Sequence, residues 1–134
     1  MAESSLGALH HVELWVPDLE RARHEWGWLL TRLGHEQYQG WPLGRSWRLG
    51  PTYIVVEESS DLTGRTHRRT GPGLNHLAFH AGTPAQVDAL AADAPGHGWT
   101  ELFPERYPHA GGPGHFAAYL VNSDGFEVEL VAAG

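Results

Sequence analysis

The chain has 134 residues, of which 41% are hydrophobic and 19% charged, a composition typical of one globular domain. Its formal net charge of −7 argues against nucleic acid as a partner, because an acidic surface repels a polyanion. The absence of cysteine excludes a disulfide framework and thiolate-bound zinc, and no apolar run is long enough to cross a membrane. Residues 1–7 lack the pattern of a signal peptide, so we expect a cytoplasmic protein.

The first half of the chain predicts a strand, a helix and three further strands. Residues 10–16 alternate polar and apolar side chains, as a half-buried strand does. A stripe of apolar residues at helical spacing follows and ends before Gly34. The stripe consists of Leu19, Ala22, Trp26, Leu29, Leu30 and Leu33. Strand-like runs at 35–40, 45–49 and 52–58 are separated by glycine and proline.

The second half repeats this order. Residues 75–81 alternate again, and Thr83-Pro84-Ala85-Gln86 is a capping box with proline at the first helical position. The helix pattern is carried by Val87, Leu90, Ala91 and Ala94. Strand-like runs follow at 99–103, 115–121 and 126–132. Asn122-Ser123-Asp124-Gly125 is a strong turn signal between the last two.

The internal repeat predicts an α+β protein in which two βαβββ modules form a cupped mixed sheet. We expect residues 1–134 to be one domain, with modules at about 8–58 and 74–132 and a surface loop at 59–73. Three arginines of that loop are either solvated or placed to hold a small acid. They are Arg65, Arg68 and Arg69.

One face of each predicted sheet collects histidine and glutamate, because side chains alternate along a strand. The residues on these faces are His11, Glu13 and Trp15 in the first half and His76, His80, Glu127 and Glu129 in the second. A solvated polar face is the ordinary explanation for any one of them. The repeated placement of His11 and His76 instead favours a metal site, since imidazole and carboxylate are common metal ligands.

Three segments of the chain resemble the vicinal oxygen chelate superfamily, which comprises glyoxalases, bleomycin resistance proteins and extradiol dioxygenases. They are 11–18 with the helix ending at Gly34, Gly73-Leu74-Asn75-His76-Leu77-Ala78-Phe79, and Asp124-Gly125-Phe126-Glu127-Val128-Glu129-Leu130. The resemblance implies a glyoxalase-like fold over nearly the whole chain. It also implies metal ligands at His11, at Glu57 or Glu58, at His76 and at Glu129. The turn at 122–125 departs from the Asp-Pro-Asp-Gly common in the family.

The resemblance leaves undecided whether Glu57 or Glu58 is the metal ligand from the first half of the chain. We prefer Glu57, because Ile54 and Val56 then form the β-branched face against the helix. The preferred metal ligands are therefore His11, Glu57, His76 and Glu129.

Among the glutamates of the last strand, the resemblance favours Glu129 over Glu127, since the family's carboxylate lies four residues after the turn glycine and between apolar residues. Glu13, His80 and Glu127 are then expected to position ligands or carry protons. The predicted catalytic residues are Glu57, Glu129 and His80.

Aromatic residues and a glycine-rich segment are candidates for the walls of a substrate pocket. Trp26 belongs to the core stripe, whereas Trp15 lies on the polar face and is expected to line a pocket. We expect Trp41 and Trp47 either to do the same or to fill a subunit contact. Residues 105–115 form either an ordinary loop or a flap over the metal.

The resulting hypothesis is a metal-dependent enzyme whose single divalent ion binds two adjacent oxygens of a small organic substrate. The ion is zinc, nickel, iron, manganese or cobalt. Four ligands fit a glyoxalase-type isomerase or lyase. Three of them, His11, His76 and Glu129, fit a ring-cleaving dioxygenase with Tyr107, His109 or His115 as acid or base.

The alternative from another class is a non-catalytic protein that sequesters a small molecule or an antibiotic, as bleomycin resistance relatives do. Because such relatives generally lack the metal ligands, the filled ligand positions favour an enzyme. We also expect a homodimer, since two βαβββ units leave sheet edges and aromatic residues that a twofold partner commonly covers.

Overall fold

The computed structural model describes residues 6–134 and divides into two compact units, Met1–Gly64 and Arg65–Gly134. The boundary falls inside the predicted loop at 59–73. Residues 1–5, part of the segment searched for a signal peptide, lie outside the described residues. Within residues 6–134, no helix is long and apolar enough to cross a membrane.

The first unit contains one helix and four strands in the predicted order. They are β1 (His11–Trp15), α1 (Leu19–Arg32), β2 (Glu36–Trp41), β3 (Gly44–Leu49) and β4 (Thr52–Glu57). The sheet has the order β1-β4-β3-β2, with β1 parallel to β4 and the other pairs antiparallel. This arrangement confirms the first βαβββ module.

Helix α1 is fixed at its start by two carboxylates and packs on the sheet through tryptophan. Asp18 caps it by accepting the N–H of Arg21 at 3.0 Å. Glu58 Oε1 accepts the N–H of Leu19 at 2.7 Å. Trp47 packs against the helix at Gly27, where an added Cβ would come within 3.2 Å of the indole. Only 2% of Trp47 is exposed, so the expectation that it lines a pocket or a subunit contact was wrong.

The second unit repeats the order of the first. Its main elements are β5 (His76–His80), α2 (Pro84–Asp93), β6 (Trp99–Leu102), β7 (Ala117–Asn122) and β8 (Glu127–Val131). Short 3-10 turns lie at Ala94–His97 and Pro104–Arg106. The sheet order is β5-β8-β7-β6, with β5 parallel to β8. The capping box between Thr83 and Gln86 is present, and the second βαβββ module is confirmed.

The turn between β7 and β8 sets the register of the last strand. Asn122 Oδ1 accepts the backbone N–H groups of Asp124 at 3.1 Å and Phe126 at 2.9 Å. Gly125 has φ +91°, and an added Cβ there would lie 2.5 Å from the carbonyl oxygen of His67. Glycine is therefore required by both the backbone conformation and the close approach.

Candidate functional site

Strand pairing in the second unit brings His76 and Glu129 together. In the parallel pair β5 and β8, His76 lies opposite Glu127 and Ala78 opposite Glu129. His76 and Glu129 are therefore diagonal neighbours on one face of the sheet. His76 Nε2 lies 3.0 Å from Glu129 Oε1. Both residues were predicted as metal ligands, and the structure places them in direct contact.

Glu129 has two further partners on the same face. The imidazole Nε2 of His115 contacts Oε2, and the hydroxyl of Tyr119 donates a hydrogen bond to the carboxylate. Burial alone raises the pKa of Glu129, but hydrogen bonds from His115, Tyr119 and His76 outweigh it and lower the pKa below its ordinary value. Burial, with help from Glu129, raises the pKa of Tyr119 to about 12, so its hydroxyl keeps the proton. Glu129 is thus a buried but ionised carboxylate.

Asn75 orients the ring of His76 through Nδ1, the ring nitrogen that does not face Glu129. The amide Nδ2 of Asn75 donates to the carbonyl oxygen of Arg69 at 2.9 Å, so its Oδ1 faces the imidazole. Oδ1 lies 2.6 Å from His76 Nδ1, which must be the donor because an amide oxygen only accepts. The Nε2 atom that faces Glu129 then carries a proton only in the imidazolium form, and neutral His76 directs a lone pair at the carboxylate.

The donor chemistry around Glu129 fits a divalent cation. Carboxylate oxygen and an imidazole nitrogen whose other nitrogen is hydrogen-bonded are usual ligands of such ions. Within residues 6–134, however, no set of three or more His, Asp or Glu side chains is spaced to hold a metal ion. His76 and His115 contact different oxygens of Glu129. Completing the coordination of an ion at His76 and Glu129 therefore requires additional donors.

The other predicted residues of the second face have different surroundings. Glu127 is 4% exposed and forms an ion pair with Arg69, whose Nη1 lies 3.0 Å from Oε1. Arg69 thus pairs with Glu127 of the same chain, and this ion pair uses the charge that was a candidate for binding a small acid. His80 is exposed and lies opposite Val131, farther along the face than Glu129.

A comparison of the strand registers of the two modules shows that Glu57 is not at the position equivalent to Glu129. In the first unit, His11 lies opposite Tyr53, Glu13 opposite Val55 and Trp15 opposite Glu57. Glu13, two residues after His11, thus lies opposite Val55. In the second unit Ala78, two residues after His76, lies opposite Glu129, so Val55 and Glu129 hold equivalent positions. Glu57 corresponds to Val131. The strand register gives no support to Glu57 as the partner of His11.

Glu57 forms a carboxylic acid pair with Glu13. The hydrogen bond that Glu57 donates to Glu13, followed by burial, raises the pKa of Glu57, which also accepts a hydrogen bond from Trp41. The Trp15 indole donates to Glu13 Oε2 at 2.7 Å, and this bond and the one from Glu57 lower the pKa of Glu13. Glu57 therefore holds its proton to a higher pH than Glu13, and each of the two carboxyl groups also has an indole partner. Trp15 is 41% exposed on this face.

His11 and Glu58 complete the list of predicted positions in the first unit. His11 is exposed and stacks on Tyr53, with ring centroids 4.9 Å apart and an interplanar angle of 7°. Its Nδ1 lies 2.9 Å from Nδ1 of His10. Glu58 points to the start of α1, where it accepts the Leu19 N–H. Of the two adjacent glutamates, Glu57 is thus the one on the polar face.

The sequence patterns do not predict the roles of Tyr119, which contacts Glu129, and of Asn75, which contacts His76. Tyr119 lies opposite Glu129 in the antiparallel pair of β7 and β8, and alternation along β7 contains the signal that places it on the polar face. Asn75 precedes the strand, and its role depends on a side-chain orientation that no spacing rule predicts. The sequence suggests His115 only as an acid or base, and its contact with Glu129 depends on the path of a long loop.

Comparison with known proteins identifies the family. Residues 10–119 match the glyoxalase/bleomycin resistance protein/dioxygenase superfamily. The chain belongs to this superfamily. It is 42% identical over 125 residues to the uncharacterized protein YqjT of Bacillus subtilis strain 168, covering 92% of this chain and 98% of YqjT.

Solved structures agree with this assignment. A candidate glyoxalase of Bacillus halodurans is 41% identical and superposes with a TM-score of 0.91, covering 97% of this chain and 98% of that one. The fosfomycin resistance protein FosX of Listeria monocytogenes, in complex with Mn(II) and sulfate, has a TM-score of 0.63 at 19% identity. That match covers 96% of this chain and 91% of FosX and shows a shared fold alone. The predicted glyoxalase-like fold is confirmed.

Proposed function

We propose that this protein is a metal-dependent enzyme that binds a small organic substrate through two adjacent oxygens. His76 and Glu129 are the proposed core of the metal site, and His11, at the matching position of the first module, is the proposed third protein ligand. The ion is zinc, nickel, iron, manganese or cobalt, as the imidazole and carboxylate donors suit each of these.

The observation that carries the proposal is the orientation of His76. Asn75 Oδ1 accepts a hydrogen bond from His76 Nδ1, so the Nε2 lone pair of neutral His76 points at a carboxylate oxygen of Glu129 3.0 Å away. Two lone pairs at this separation repel each other unless a proton or a metal ion lies between them. A cation at this point would replace the imidazolium proton. The Mn(II) bound by FosX, a protein of the same fold, supports the capacity of this fold for such an ion.

Three protein ligands are favoured over four. Val55 holds the first-module position that corresponds to Glu129, and Glu57 is engaged with Glu13. Two imidazoles and one carboxylate would leave positions for both oxygens of a substrate. Because three protein ligands also suit a ring-cleaving dioxygenase, that activity is a second candidate beside an isomerase or lyase.

A bound divalent ion would supply Lewis acidity toward the substrate oxygens. The residues of the chain would then orient the ligands and hold protons. Tyr119 keeps its proton and donates a hydrogen bond to Glu129, and Asn75 fixes the ring of His76. His80 is exposed on the face of Glu129 and is a proposed proton carrier. The hydrogen bond to Glu13 raises the pKa of Glu57, and Glu57 is therefore a second proposed proton carrier.

Turnover assays with metal-loaded protein test the proposal. Solvent-deuterium exchange next to the carbonyl of α-hydroxy ketones and hemithioacetals is expected for an isomerase or lyase. Oxygen uptake with catechols is expected instead from an iron-loaded dioxygenase. If such compounds bind at the metal and show neither exchange nor turnover, the enzyme proposal fails and sequestration of a small molecule is the better account.

We also propose that the protein is a homodimer. Several large apolar side chains of the described residues are exposed and would be covered by a second copy. They are Leu6, Leu9, Leu43 and Leu49. Light scattering tests this proposal, because a mass of 14.8 kDa at micromolar concentration would show a monomer.

A further inference from the structure

The connection between β6 and β7, residues 103–116 (the Glu129 loop), brings His115 into contact with Glu129. Its backbone makes a close approach at Gly111. A Cβ added there would lie 2.6 Å from the hydroxyl oxygen of Tyr119 and 2.7 Å from Cδ2 of His115. Both of these side chains contact Glu129. Within this loop, the backbone at Gly111 therefore packs directly on the side chains of His115 and Tyr119, two of the three groups that contact the carboxylate.

Several hydrogen bonds fix the path of the Glu129 loop. The hydroxyl of Tyr107 donates to Asp88 on α2, and the N–H of Ala117 donates to the carbonyl of Pro108 at 3.0 Å. His109 Nδ1 lies 3.2 Å from the carbonyl oxygen of His115. The N–H of His115 in turn donates to Gly112 at 3.1 Å. These contacts hold the imidazole of His115 against Glu129.

The two oxygens of Glu129 have different partners. Oε1 faces His76 Nε2, the atom that the proposed function assigns to the metal, whereas Oε2 is occupied by His115 Nε2. We infer that His115 is a positioning residue that keeps Oε2 occupied, so that Glu129 offers a metal ion only Oε1. This inference rests on the proposed function.

The number of Glu129 oxygens that bind the metal ion would determine how many positions are left for the substrate. A carboxylate binds a metal ion through one oxygen or through both. If Oε2 were free, Glu129 would bind through both oxygens and occupy a position that a substrate with two adjacent oxygens needs. The charge-assisted hydrogen bond from His115 prevents this, and the Glu129 loop keeps His115 in place. His115 would thus preserve the open positions of the site.

A chelator titration of cobalt-loaded protein tests the inference without relying on turnover. Acetohydroxamate presents two adjacent oxygens, and its binding changes the visible spectrum of bound Co²⁺. We expect His115→Ala to retain cobalt but to bind acetohydroxamate roughly 10–100-fold more weakly, the usual effect of losing a group that orients a ligand. His115→Gln, whose amide N–H can donate to Oε2, should restore binding to within about threefold of the parent.

The matched control is Glu105→Ala, in the same loop but with an exposed side chain, and it should bind acetohydroxamate like the parent. Circular dichroism of each variant checks folding. Parental acetohydroxamate affinity in cobalt-loaded His115→Ala would overturn the inference alone. Failure of the parent protein to bind Co²⁺ would overturn the proposed function, and the inference with it.

Discussion

Val55 occupies in the first module the position that Glu129 occupies in the second. Each lies on the strand parallel to the first strand of its module, opposite the residue two positions after the histidine. Val55 is 4% exposed and has no donor atom in its side chain, whereas Glu129 is an ionised carboxylate. The two modules therefore share a strand register but differ in chemistry, and the proposed site depends mainly on the second.

The asymmetry between the modules predicts different effects of removing their glutamates. Glu57→Ala should keep bound metal at the parental stoichiometry, because Glu57 is paired with Glu13. Glu129→Ala should lose it, because His76 then has no anionic partner. Elemental analysis of purified variants measures both. If Glu57→Ala folds normally but loses the metal, the site has four protein ligands and the three-ligand proposal is wrong.

Orientation of His76 by Asn75 predicts a graded effect on metal affinity. Asn75→Ala removes the acceptor of the Nδ1 proton, and the dissociation constant for the ion should rise roughly 10–100-fold. Asn75→Asp keeps an acceptor and should bind more tightly than Asn75→Ala. Competition with a chromophoric chelator measures the constants. Equal affinities for both variants and the parent would mean that Asn75 does not orient the ligand.

The close approach at Gly111 predicts opposite signs for two glycine substitutions in one loop. Gly111→Ala forces a Cβ against Tyr119 and His115, and overpacking of this kind costs roughly 1–3 kcal/mol of unfolding free energy. At Gly114 an added Cβ meets nothing within 4 Å, so Gly114→Ala should be neutral or stabilise by about 0.4–1 kcal/mol. Urea unfolding compares the two. Equal stabilities would argue against the loop packing.

The carboxylic acid pair predicts a coupled titration in the first module. Since the hydrogen bond that Glu57 donates to Glu13 raises the pKa of Glu57, Glu57 should stay protonated as the pH rises past the ordinary value for glutamate of ~4.3. Glu13→Gln removes the neighbouring negative charge and should return the pKa of Glu57 toward that value. Carboxyl ¹³C NMR against pH is the measurement. An unchanged titration of Glu57 in Glu13→Gln would refute the pairing.

The fold follows from local sequence patterns, whereas the site follows only in part. Alternation along residues 75–81 and the turn at 122–125 were sufficient to place His76 and Glu129 on one face of the sheet. The position of Glu57 depends on how β1 and β4 are paired, and the sequence of one strand does not fix its register with another. Assigning His115 to Glu129 requires the path of a long loop, which hydrophobic periodicity does not encode.

The most direct test of the account is the metal content of the purified protein and of two histidine variants after expression with added transition metals. We predict about one divalent ion per chain in the parent. His76→Ala should lose the ion, and His24→Ala, which changes an exposed histidine on α1, should keep it. A parent protein without metal, or equal metal content in His76→Ala and the parent, would contradict the proposed metal site.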